Sequence, residues 1–197
     1  MHIERLSDAT CTLEGYVVAK FVQAMRTWPP DLAADIYALS LYRDDHDLPD
    51  RPALLLYYNT RTQLARQEDR SPTEAKWNLA LWETVAQHRA AVGIASHPKR
   101  HGVTMTDRDG QRLLETWVRT VLSRGSEGDP DLVLAAFTLL SCQVGRRLHD
   151  SGAIRAIFGL AVPIIMHDDV WDEAVRQNTA TASPPGVADE FLAVDVF

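Results

Sequence analysis

Apolar residues along this chain fall into two kinds of pattern, and together they predict a small sheet with helices packed on it. Leu13, Val17, Phe21 and Met25 recur every four residues, flanked by Val18 and Ala24. That spacing predicts a helix from Thr12 to Trp28, and Pro29–Pro30 stops it because proline disfavours a helical residue before it and donates no ladder hydrogen bond. Ile36 to Arg43 alternates instead. Ile36, Ala38, Ser40 and Tyr42 take one side and Tyr37, Leu39 and Leu41 the other, both largely apolar, as in a strand covered on at least one face. The acidic stretch Asp44 to Pro52, with two prolines, reads as a loop, and Ala53 to Asn59 as a second strand returning antiparallel.

Further on, Thr60 caps a short helix through Gln67, and Ser71-Pro72-Thr73-Glu74 carries the marks of a helix start. These are a serine N-cap, proline in the first turn and glutamate three residues on. That helix is expected to run to about His88. Ala75, Leu79, Trp82 and Ala86 lie beside Trp77, Leu81 and Val85 over a wide apolar arc. Thr106 or Asp107 opens a helix presenting Leu113, Leu114, Trp117, Val118, Val121 and Leu122. Asp129–Pro130 opens a longer one to about His149. Leu160 to Met166 is a third strand, placed at a sheet edge by Pro163. A helix from Asp168 to Gln177 and a Ser183-Pro-Pro-Gly turn follow. The chain shows no internal repeat and no linker, so the expected architecture is one α+β domain over residues 1–197, with a small, mostly antiparallel sheet.

Composition narrows the function classes. At 46% hydrophobic and 24% charged residues, the chain is too apolar for general disorder. A net charge of −7 repels phosphate backbones and argues against nucleic-acid binding, and the basic cluster Lys99–Arg100–His101 is too short to reverse this. The same charge suits a basic protein partner. The two cysteines, Cys11 and Cys142, form neither a metal framework nor a disulfide scaffold and fit a reducing compartment. The apolar run Leu132 to Cys142 falls short of the roughly 20 residues a membrane span needs. The expectation is a cytoplasmic protein with no membrane contact.

Candidate chemistry is sparse. His167, Asp168 and Asp169 follow the third strand, and Asp44, Asp45, His46 and Asp47 follow the first. If the two strand ends met, carboxylates and imidazoles would hold a hard divalent cation or serve as acid and base. The bland alternative has an aspartate capping the next helix and residues 44–47 forming a solvated loop. His97 and His101 are separated by a proline and lack further ligands, and Cys142 sits mid-helix, where nothing lowers its pKa. GxSxG, GxGxxG, GxxxxGK[ST] and HExxH are all absent, so no cofactor is expected. Asn59 and Asn78 are amides beside apolar neighbours, and a buried amide needs partners.

YALSLY, LYYNT, EAKWNLALW, FGLAVPIIMHDD and NTATASPPGVADEF, in that order, resemble the pattern of a bacterial family classed as a domain of unknown function. The resemblance extends to SUKH-type immunity proteins, small α+β proteins that bind and neutralise toxins. It covers Ile36–Trp82 and Phe158–Phe191 and carries no catalytic residue over. Together with the −7 charge and the missing catalytic motifs, it points to a non-enzymatic protein-binding module, and the acidic loop after the first strand makes Asp44, Asp45 and Asp47 the expected contact. The alternative is a small metal-dependent hydrolase built on His167, Asp168, Asp169 and His46. A homodimer paired through the edge near Leu160–Met166 is a third arrangement the pattern allows.

Overall fold

The computed structural model describes residues 12–44, 52–67, 69–82, 108–123, 129–168 and 173–194. The fold is α+β. Helix α1 (Leu13–Met25) is capped by Thr12, whose Oγ1 accepts from the Gly15 N–H at 3.1 Å. The prolines that end it also start α2 (Pro30–Asp35), since proline lacks only an N–H that the first turn leaves unpaired anyway. Strands β1 (Ile36–Asp44) and β2 (Ala53–Thr60) form the antiparallel pair, helix α3 (Arg61–Ala65), capped by Thr60, follows β2, and β3 (Ile164–His167) lies parallel to β1 on its other side. Eight residue pairs are antiparallel and four parallel, so the sheet is mixed with antiparallel pairing dominant.

The sheet divides the apolar residues into two layers. Leu39, Leu41, Leu54, Leu56, Tyr58, Ile164 and Met166 face an inner core with α1, α5 (Arg108–Leu122), α6 (Pro130–Asp150) and α7 (Ala153–Phe158). Ala38, Tyr57 and Ile165 face a smaller outer layer with Trp77, Trp82, Val175 and Phe191. Cys142 is buried in the inner core and burial pushes its thiol up to about 11, as its mid-helix position implies. Cys11, His97 and His101 lie outside the described residues.

Three expectations need correction. The β1 alternation holds from Ala38 onward but breaks before it, where Ile36 pairs with Thr60 and Ala38 with Asn59. The extra residue is Tyr37, and the bulge turns it to the outer layer beside Ala38 while Ile36 faces inward. The second correction concerns the helix at Ser71. Pro72 does begin α4 (Pro72–Trp77), but the Ser71 side chain makes no cap bond, and the helix ends at Trp77 instead of reaching His88. A 3₁₀ turn (Leu79–Leu81) follows, and residues beyond Trp82 lie outside the described set. Third, β3 begins after Pro163, whose carbonyl accepts from the Leu39 N–H, and the helix expected at Asp168–Gln177 is α8, Glu173–Ala182.

Helix α8 seals the outer edge of β3. The Met166 N–H donates to Thr179 Oγ1 at 2.9 Å, and the Ile164 N–H donates to Ser183 Oγ at 3.1 Å. Ser183 Oγ in turn donates to the Ile164 carbonyl at 3.1 Å. These bonds lie along the edge of β3 at which the pattern allows a second copy to pair. Gly145 of α6 sets how close α8 comes, because a Cβ there would lie 2.8 Å from Ala182 Cβ. The Pro184–Val187 turn follows, with Gly186 at φ 84° and the Val187 N–H on the Pro184 carbonyl. Helix α9 (Asp189–Leu192) ends the described chain.

Gly145→Ala is expected to lower unfolding free energy by about 1 kcal/mol or more in urea titration, because overpacking outweighs the gain in helix propensity. A stabilised variant would contradict the close approach. Ser183→Ala should cost about 1–3 kcal/mol by stranding the Ile164 N–H, whereas Ser123→Ala, on an exposed helix end, should change stability by less than about 0.5 kcal/mol.

Candidate functional site

The strongest sequence candidate, His167, is the last residue of β3 and is buried at 4% exposure. Strand register explains its nearest partner. Ser40 lies opposite Ile165 and Tyr42 opposite His167, so Ser40 and His167 are diagonal neighbours on the outer face. Ser40 Oγ is 2.7 Å from Nδ1, and Nε2 is 3.0 Å from the Trp77 carbonyl oxygen. A carbonyl only accepts, so Nε2 carries the hydrogen, Nδ1 is the bare nitrogen, and the Ser40 hydroxyl donates to it. Trp82 and Phe191 stand edge-on to the ring at centroid distances of 5.4 and 6.3 Å. Burial holds the ring pKa down to about 4, against the Trp77 carbonyl bond that raises it, so the ring is neutral at physiological pH.

The end of α4 is fixed by the same contacts. A continuing helix would need the carbonyls of Lys76 and Trp77. The Lys76 carbonyl accepts from the Tyr37 hydroxyl at 2.9 Å and from Trp82 Nε1 at 3.1 Å, and the Trp77 carbonyl takes His167. The bulged Tyr37 also accepts from Asn59 Nδ2 at 2.9 Å, and Asn59 Oδ1 accepts from the Thr60 N–H. Tyr37 ionises well above the usual phenol range because it is buried and because Glu190 is nearby. Lys76 reaches over the Tyr37 and Trp77 rings, at 5.7 and 5.0 Å, to pair with Glu190.

Asp168 turns away from this layer. It pairs with Arg43 Nη2 at 2.9 Å, and Arg43 Nη1 donates to Thr138 on α6. The two adjacent residues thus serve different elements. Asp44 closes β1 opposite Ala53 and is half-buried. Asp45, His46, Asp47 and Asp169 lie outside the described residues. Among the described residues no group of three or more His, Cys, Asp or Glu side chains is placed to hold a metal ion.

Ser40 and His167 meet the distance criterion of a nucleophile and its base, with the base oriented by a third group. Ser40, however, has no exposed surface and lies mid-way along the central strand between β2 and β3. No substrate atom reaches its Oγ in this conformation. The pair joins the sheet to the outer layer. Ser40, Tyr37 and Arg43 carry this arrangement and were not singled out by the sequence, because their partners lie far away along the chain, 127 residues on in the case of Ser40.

Comparison of the chain with protein-family models, with curated proteins and with solved structures finds no match. No helix among the described residues is long and apolar enough to cross a membrane.

Because the folded His167 ring titrates at about 4 and an unfolded one near 6.5, the unfolded chain binds more protons between those values. Stability is therefore expected to fall as pH drops through that window, at up to about 1.4 kcal/mol per pH unit for one proton. His149, lowered to about 4 mainly by burial and then by Arg146, acts in the same direction. Urea titrations of His167→Asn should give a flatter pH dependence than wild type from pH 6.5 to 4.5. Equal slopes would refute the assignment.

Proposed function

We propose that this chain is a non-enzymatic protein-binding module that takes a basic protein partner on an acidic surface at the Asp44 end of β1, in the manner of a toxin-neutralising immunity protein. The observation that carries this reading is that His167 and Asp168, the most reactive-looking pair in the sequence, are committed to internal partners. The Nδ1 lone pair of His167 is taken by Ser40, Nε2 carries a hydrogen, and the Asp168 carboxylate meets Arg43. A net charge of −7 supports a basic partner through long-range attraction. The proposal continues Asp44 into Asp45 and Asp47 as one contact and places the protein in the cytoplasm.

The test is quantitative pull-down with immobilised wild-type protein and with an Asp44→Lys, Asp45→Lys, Asp47→Lys variant. The expected outcome is a protein retained by wild type, released by raised salt, and lost at least about tenfold from the variant. Equal retention by both would remove this surface from the account. The hydrolase alternative makes the opposite demand. It needs native mass spectrometry of protein purified without chelator to show a stoichiometric metal adduct that disappears in Asp168→Asn. We expect the apo mass.

A further inference from the structure

Helix α9 sits on the outer layer as a bound peptide sits in a groove. It is four residues long, its N-cap Ala188 makes no side-chain cap bond, and so short a helix does not persist through its own hydrogen bonds. Contacts with other elements hold it. Phe191 is fully buried in the cluster that contains Trp77, Ile165 and Val175, its ring 5.5 Å from that of Trp77 and 6.3 Å from that of His167. Arg176 of α8 donates from Nη1 to the Val194 carbonyl at 2.8 Å and from Nη2 to the Leu192 carbonyl. Lys76 of α4 pairs with Glu190. The segment reaches this position through the Pro184–Val187 turn.

We propose that the outer layer is a docking groove for a partner protein's segment in which an acidic residue directly precedes a phenylalanine and an apolar residue follows, and that α9 occupies this groove in cis. The chemistry of the groove sets that choice. Trp77, Ile165 and Val175 enclose an aromatic ring, and edge-on ring contacts favour phenylalanine over an aliphatic side chain. Lys76 selects a carboxylate one residue before the ring. Glu173 holds the Nε side of Arg176 at 3.7 Å, and the Nη1 and Nη2 edge faces the segment. That edge reads main-chain carbonyls, which every sequence offers, so it adds affinity without specificity. The groove is defined without Asp44, Asp45 or Asp47 and stands apart from the surface assigned to a basic partner.

Tethering makes the cis segment a strong competitor. A short connection gives it an effective concentration on the order of millimolar, and a partner's apparent affinity is reduced to the fraction of chains whose groove is open. The experiment titrates a synthetic peptide with the sequence of Val187–Val194 into the ¹⁵N-labelled full chain and follows the indole N–H signals of Trp77 and Trp82. Expected is binding to Phe191→Ala at least about tenfold tighter than to wild type, because the variant's own segment has lost its anchor. Glu190→Lys, an exposed change that leaves the core intact, should tighten peptide binding by about threefold. A peptide that itself carries Phe191→Ala should bind neither variant. Absence of peptide-dependent shifts in both variants would overturn the proposal, as would equal affinity for the variants and wild type, or equal binding of the alanine peptide.

Discussion

The outer half of this protein depends on one hydrogen-bonding constraint: the last two carbonyls of α4, half-buried at Lys76 and buried at Trp77, are satisfied by side chains. Tyr37 and Trp82 satisfy the first and His167 the second. Buried carbonyls left unpaired would cost about 1–3 kcal/mol each, so these contacts decide where α4 stops and how it sits on the sheet. The bulge in β1 exists in the same context, because only the extra residue brings Tyr37 to the outer face. Around the polar links, edge-on aromatic contacts among Trp77, Trp82, Phe191 and His167 each add about 0.5–1.5 kcal/mol beyond burial.

Neutrality of His167 is what permits this arrangement. A neutral imidazole offers one donor and one acceptor, and the structure presents it with one carbonyl and one hydroxyl. The ring therefore acts as a two-ended connector between β1 and α4 and carries no reactive lone pair into solvent. Asp168 makes the complementary link on the other side, through Arg43 to α6. What looked in sequence like one acidic and basic cluster is two structural ties leaving a strand end in different directions.

Much of the fold was legible along the chain because its signals are local. The Thr12 and Asp129 caps, the β1–β2 hairpin, the Pro184–Gly186 turn and the four-residue apolar periodicity of α1 all follow from neighbours within a few positions. The missed features are long-range. Nothing between Ser71 and Trp82 reveals that Tyr37 and His167 will capture the helix carbonyls, so the apolar periodicity was read through the true end of α4. Similarly, the Ser183 hydroxyl reads as the start of a turn, although it also seals the edge of β3. The candidate site failed for the same reason. A histidine followed by two aspartates has the composition of a functional cluster, and only the parallel pairing of β3 with β1 reveals that its imidazole faces Ser40.

The most direct test of the account is the tautomeric state of His167, read from ¹⁵N chemical shifts and long-range ¹H–¹⁵N correlations at pH 7. The structure requires a neutral ring protonated on Nε2, with Nδ1 showing the shift of a hydrogen-bond acceptor. An Nδ1–H tautomer or an imidazolium at that pH would contradict the arrangement on which the outer layer is built.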